Sequence, residues 1–256
     1  MRAVTLALLL LATDGVAQVR YTRRVVRFHD RPSTAHTLAV DLCDARVSLR
    51  VTSPAEGPAR VSQWARRVGA FAAVNGDYFD PRSLAPLGVT RGDGASWPVR
   101  AREHRDALLG VDARGGVAVL DAVDDITAVP DTFREVLPLR ERVLRGGVVQ
   151  ESAAITGHDA RHPRTALGLS EDRRTLYLVV VEGRSERDSG VTARQLGEVL
   201  RDVGAHDGFK LDGGGSSTLF VRGRGVVNRP SDGRERAVAT HLGVLLRGPR
   251  GPSRCR

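Results

Sequence analysis

Short β-prone runs, each closed by a turn signal, recur across residues 19–247 and constrain the fold more than any other feature of the sequence. "VRYTRRVVRF" from Val19, "HTLAVDL" from His36 and "RVSLRVT" from Arg46 carry β-branched or apolar residues near period two, the spacing that places alternate side chains on one face of a strand. "AFAAV" runs into Asn75 as a buried strand. "DALLGVDARGGVAVLD" predicts a hairpin turning at Arg114, Gly115 and Gly116, and "RTALGLSEDRRTLYLVVVEG" a second one turning at Glu171 and Asp172. "GFKL", "STLFVRG" and "RAVATHLGVLLR" add further strands. Helical signals are few. Residues 192–203 pair a Thr192/Gln195 capping box with Leu196, Val199, Leu200 and Val203 at helical spacing, and Gly204 stops the run. A shorter helix is expected from Ser62, with Gly69 closing it. Together these predict an α+β fold: one domain over residues 18–248, on a largely antiparallel mixed sheet with a few packed helices.

The ends of the chain read differently. Residues 1–17 have Arg2, an apolar run and a small-x-small site at Gly15 and Ala17, the pattern of a cleaved secretory signal peptide and too short to span a bilayer. A secreted or periplasmic protein without stable membrane insertion is the expectation. Residues 249–256 read as a flexible tail. The chain has two cysteines, Cys43 and Cys255, and export would allow a disulfide between them, with two separate thiols as the alternative.

The formal net charge is +9, and all basic residues but Lys210 are arginine. Such a charge raises the question of nucleic acid or anionic polymers. The arginines are scattered, however, and aromatics make up only 4% of the chain, too few for stacking platforms, so nucleic acid is not the expected partner.

Polar clusters fall at the ends of the predicted strands, where loops carry function more often than their share. "AVNGDYF" supplies Asn75, Gly76, Asp77 and Tyr78; "RHPRTALG" supplies His162, Arg164 and Thr165. "VVVEGRSERDSG" supplies Glu182 and Arg184, and "KLDGGGSSTLF" supplies Asp212, Gly213, Gly214, Gly215, Ser216 and Ser217. "NRPSDGRERAVAT" adds Asn228, Ser231 and Arg236. The glycine run is neither a P-loop nor a nucleophile elbow, since GxxxxGK[ST] and GxSxG are both missing. It could form an anion nest of backbone N–H groups, or simply a tight turn. Metal motifs are poor: HExxH is missing, His158 and His162 flank a loop, and Asp77, Asp80 and Asp93 lack EF-hand spacing. No cofactor is required by any motif, while a divalent Ca²⁺ or Mg²⁺ stays open.

These five clusters, in this order, resemble the phosphodiester glycosidase family over roughly residues 70–246. The chain has Asp77 where the family usually has a second glycine, and Glu182 where it more often has aspartate. The resemblance implies hydrolysis of a sugar 1-phosphodiester at the C1–O bond, in a cell-envelope or extracellular glycoconjugate. It implies a site in which Asp212 and Glu182 are the catalytic carboxylates and Arg164 grips phosphate. Asn75, Gly76, Asp77, Arg184, Gly213, Gly214, Gly215, Ser216, Ser217 and Asn228 would then contact a sugar-phosphate diester or an anionic glycan. The alternative is a non-catalytic glycan- or polymer-binding envelope protein on the same fold.

Overall fold

The structure, a computed structural model, describes residues 19–29, 31–98, 105–123, 125–151, 160–248 and 253–255. The signal-peptide expectation and His158 lie outside the described residues. A seven-stranded sheet runs in the order Val19–Phe28, Arg31–Asp41, Thr175–Val181, Arg164–Leu169, Asp207–Lys210, Glu141–Arg145 and Val148–Val149. A second sheet orders Gly225–Val226, Leu219–Val221, Ala72–Asn75, His241–Leu246 and Val47–Val51. A third combines Ala95–Ser96, Arg91–Gly92, Phe133–Leu139, Ala107–Asp112 and Val117–Asp121. The strand pairs in all three sheets are antiparallel.

Period-two alternation decides which side chains meet. Leu38, Val180, Leu167 and Phe209 point from one face of the seven-stranded sheet into a core shared with Val74, Leu242, Val51, Leu109 and Leu137 of the other two sheets. The opposite face carries Ala35, Ala166, Val179 and Val181, which the helix Ala193–Asp202 covers with Leu196, Val199 and Leu200. Strand Arg164–Leu169 is therefore buried on both sides along its whole length. Thr192 caps that helix: its side chain accepts from the Gln195 N–H, and Gln195 reaches back to the Thr192 N–H, so the capping box forms as its spacing predicts. A second helix, Val61–Arg67, seats Trp64 against Ala73 and Phe220. With two α-helices among the described residues, the α+β expectation shifts to a mostly β protein. Burial is supplied mainly by sheet packing on sheet.

Residues 253–255, the described part of the C-terminal tail, are linked to the turn that follows strand Arg31–Asp41. Cys43 and Cys255 form a disulfide with a Cα–Cα distance of 5.1 Å across a sequence separation of 212, and the Arg254 N–H donates to the Cys43 carbonyl at 2.8 Å. Closing so long a loop restricts the unfolded chain strongly. Cys43→Ser is expected to lower the unfolding free energy by about 3–5 kcal/mol. Denaturant titration of the oxidised protein beside this variant measures it; a loss below about 1 kcal/mol would make the tail an idle clip.

Candidate active site

Three neighbouring strands deliver their polar termini to one end of the seven-stranded sheet. Arg164 opens its strand opposite Val181, the last residue before Glu182. Ala166 lies opposite Lys210, and the Leu211 N–H donates to the Thr165 carbonyl at 2.9 Å, which brings Asp212 alongside Arg164. The second sheet arrives at the same place: Ala72–Asn75 ends there, and the Gly76 carbonyl accepts the Asp212 N–H at 3.1 Å. Segments more than a hundred residues apart in sequence thus share one rim.

Close packing explains the glycines. Gly214 takes a left-handed φ of 60° and donates its N–H to the Pro163 carbonyl at 2.8 Å. A side chain on Gly215 would collide with the Asp232 carboxylate and the Arg236 guanidinium, which are paired at 2.6 Å. Four N–H groups of this loop are taken up by the protein itself. The N–H groups of Gly213, Gly214, Ser216 and Ser217 are bonded to Asp212 Oδ1 and to the Pro163, Gly213 and Gly214 carbonyls. An anion at this loop would also meet side-chain donors. Arg184 brings a guanidinium nitrogen to 3.1 Å from where a Gly214 Cβ would stand, and Arg164 Cδ lies 3.7 Å from the equivalent point at Gly213.

Asn75 and Asn228 both hold the loop frame. Asn75 is fully buried; its Oδ1 accepts from Thr165 Oγ1 at 2.7 Å and from the Thr218 N–H at 3.2 Å, and its Nδ2 donates to the Asp212 carbonyl at 2.8 Å. Asn228 accepts the Leu219 N–H at 2.8 Å and donates to the Ser217 carbonyl at 2.9 Å. Both amides bond backbone and hydroxyl partners that fix the Asp212–Thr218 loop, a positioning role inside the protein.

The charges around this loop are desolvated. Asp212 sits half-buried; burial raises its pKa against the opposing pull of Ser216, the Gly213 N–H, Arg236 and Lys210. The Ser216, Ser217 and Thr218 hydroxyls are buried without a well-formed hydrogen bond, although Ser216 is near enough to act on Asp212. Asp77 is buried against Arg105, and burial pushes its carboxyl up to about 6 while Arg105 pulls down and Asp212 pushes up. Arg164 is 5% exposed and donates to the Val191 carbonyl at 3.2 Å and the Ala160 carbonyl at 3.0 Å. It makes no carboxylate ion pair among the described residues, and burial lowers its pKa. Tyr78 packs under the Arg140 guanidinium at 4.6 Å and is pushed up to about 12 by burial and by Asp212.

Glu182 has the opposite character. Burial would raise its pKa, but His36 Nε2 at 2.7 Å and the Arg229 N–H at 2.9 Å outweigh that and lower it. The 228–236 loop links the two carboxylates, with Arg229 on Glu182 and Arg236 beside Gly215 and Asp212. His36, Arg105 and Glu141, which pairs with Lys210 at 2.8 Å, are members of this region that no sequence spacing announces.

No group of three or more His, Cys, Asp or Glu side chains outlines a metal site among the described residues. Asp80 caps the Arg82 N–H, Asp93 pairs with Arg50, and Asp77 faces Arg105, so these three aspartates do not converge. A cavity of about 200 Å³ rimmed by Arg50, Arg134 and Arg254 lies at the far ends of the strands, beside Leu245, and takes no part in this constellation.

A protein-family model described as phosphodiester glycosidase matches residues 68–245. YomE, an SPbeta prophage-derived protein of Bacillus subtilis strain 168, is 43% identical over 86 residues, which is 34% of this chain and 13% of that protein's length. Among solved structures, the catalytic domain of zebrafish N-acetylglucosamine-1-phosphodiester alpha-N-acetylglucosaminidase, auto-inhibited by its pro-peptide, superposes with a TM-score of 0.74 at 22% identity, covering 92% of this chain and 86% of that one. A Synechocystis protein superposes with a TM-score of 0.67 at 15% identity, covering 90% of this chain and 62% of that one. These likenesses establish the fold.

Proposed function

Because this chain belongs to the phosphodiester glycosidase family, we propose that it hydrolyses a sugar 1-phosphodiester, releasing the sugar and leaving a phosphomonoester. The observation that carries the reading is Arg164: a buried guanidinium with no carboxylate partner among the described residues, set against the Asp212–Ser217 loop. A desolvated cation whose carboxylate support from Glu141 comes only through space is costly, and a bound phosphate supplies both a contacting charge and the fork-shaped acceptor it lacks. Arg184 and Arg236 extend the same positive rim.

The two carboxylates divide the chemistry by environment. Groups whose surroundings drive their pKa values apart take opposite acid and base roles. Asp212, raised by burial, donates a proton toward the leaving phosphate oxygen as the C1–O bond breaks. Glu182, held ionised by His36 and Arg229, supplies negative charge to the oxocarbenium-like carbon. Water provides the new C1 hydroxyl, and the phosphate departs as a monoester. Inversion at C1 would assign Glu182 as base for water, and retention would assign it as nucleophile. The apolar run in residues 1–17 supports a substrate outside the cytoplasm, in a cell-envelope or extracellular glycoconjugate.

The test is release of reducing sugar from UDP-N-acetylglucosamine and from simple sugar 1-phosphodiesters by the mature protein. Turnover that leaves a phosphomonoester is expected. Binding of these compounds with no turnover across a varied panel would replace the hydrolase with a glycan-binding protein on the same fold.

A further inference from the structure

One face of the seven-stranded sheet carries a polar diagonal through otherwise apolar core positions. Arg23 lies opposite His36, and Tyr21 is two residues along, on the same face. His36 lies opposite Val180, and Glu182 is again two residues along. Diagonal neighbours of this kind are within reach of long side chains. Here they touch: Tyr21 Oη is 2.8 Å from His36 Nδ1, and His36 Nε2 is 2.7 Å from Glu182 Oε1. His36 is 1% exposed. Tyr21 and His36 both precede the family-matched segment, residues 68–245, which holds Glu182.

We propose that Tyr21 and His36 are positioning residues for Glu182, anchoring one of its carboxylate oxygens so that the other is presented to substrate. The inference rests on the reading of Glu182 as a catalytic carboxylate. Two donors converge on Oε1, His36 Nε2 and the Arg229 N–H. Oε2 has no hydrogen-bonding partner among the described residues and is not sealed from solvent. A carboxylate anchored through one oxygen has a fixed plane and one oxygen left for chemistry, which is what attack on carbon or on water requires.

The bonding pattern also places a proton on the histidine nitrogen that faces Glu182. Burial raises the Tyr21 pKa above its ordinary value of 10.0, despite the lowering by Arg23 and Arg224, so the phenol keeps its proton, and an ionised Glu182 can only accept at Oε1. A proton on Nε2 is therefore aimed at Glu182. The charged groups facing this chain are Arg23 from the edge strand and Arg224, which stacks on the Tyr21 ring at 5.3 Å. Arg23 helps keep Glu182 ionised, and Arg224 acts on Tyr21.

The experiment compares wild type, His36→Leu, His36→Gln and Tyr21→Phe. It uses two readouts: the acid limb of the kcat/KM–pH profile, and the titration midpoint of the Glu182 side-chain carboxyl by ¹³C NMR. Glu182 acts ionised, so activity falls as pH drops through its pKa, and removing a donor raises that pKa. His36→Leu should move both the limb and the midpoint up by about one pH unit. His36→Gln, which can still donate an N–H, should restore most of the shift. Tyr21→Phe should move both in the same direction by less, and serves if His36→Leu does not fold. An unchanged Glu182 midpoint in the Leu and Phe variants would overturn the proposal. A shifted midpoint in a protein that turns over no phosphodiester would uphold the anchoring and overturn the hydrolase reading instead.

Discussion

Asp212→Asn is expected to cost about 10²–10³-fold in kcat while leaving the protein folded. The backbone of Asp212 holds the loop through its N–H to Gly76 and its carbonyl to Asn75, and neither contact depends on the side chain. The side chain's one well-formed bond is to the Gly213 N–H at 2.8 Å, and an asparagine oxygen accepts that equally well. What the substitution removes is the proton that burial keeps on the carboxyl above the ordinary aspartate range. Phosphate leaves readily, which places the loss in the lower part of the general-acid range. The loss should also depend on the leaving group. An aryl phosphodiester, whose phosphate departs more easily, should suffer less than an alkyl one. In the pH profile, activity of the wild type falls as pH rises through the Asp212 pKa, and that basic limb should vanish in the variant. Equal losses for aryl and alkyl esters, with the basic limb intact, would move Asp212 from the leaving group to C1.

Much of the fold was legible because strand burial has a strict period. "TLYLVVV" and "RTALGL" read as strands, and strands Thr175–Val181 and Arg164–Leu169 form where those runs lie. The Thr192/Gln195 box placed a helix start to the residue. Strands Phe133–Leu139 and Glu141–Arg145 escaped, since Pro138 and inward charges break the pattern. Glu135 is tolerated in the interior because the Val51 N–H at 2.8 Å and the Asp93 N–H at 3.1 Å satisfy it; burial still pushes it up to about 7. Neither partner is near it in sequence. The same limit governs the site. Loop residues such as Asp212 and Glu182 declare themselves at strand ends, but their roles depend on partners fixed only by register. His36 reads as the first residue of a strand, and nothing local connects it to Glu182, 146 residues away. "AVNGDYF" likewise gives no sign that the Asn75 amide is engaged by Thr165, Thr218 and Asp212.

Arg164→Met should separate function from stability with opposite signs. Turnover is expected to fall by about 10²–10³-fold, the usual cost of losing one donor to developing negative charge in a water-poor site. KM for the phosphodiester should rise as well, because the guanidinium holds the ground-state phosphate too. Stability should not fall with it. The variant gives up hydrogen bonds to the Val191 and Ala160 carbonyls, each worth about 1 kcal/mol net. It also removes a desolvated cation that has no direct carboxylate ion pair among the described residues and is offset only through space by Glu141, and refills the position with an apolar side chain of similar length. The net expectation is an unchanged or higher Tm, measured by thermal unfolding without ligand. In wild type, inorganic phosphate should raise Tm by binding the folded state, and Arg164→Met should abolish that rise. A variant that unfolds earlier while keeping its phosphate response would make Arg164 a structural strut, and the phosphate would then have to be held by Arg184 and Arg236.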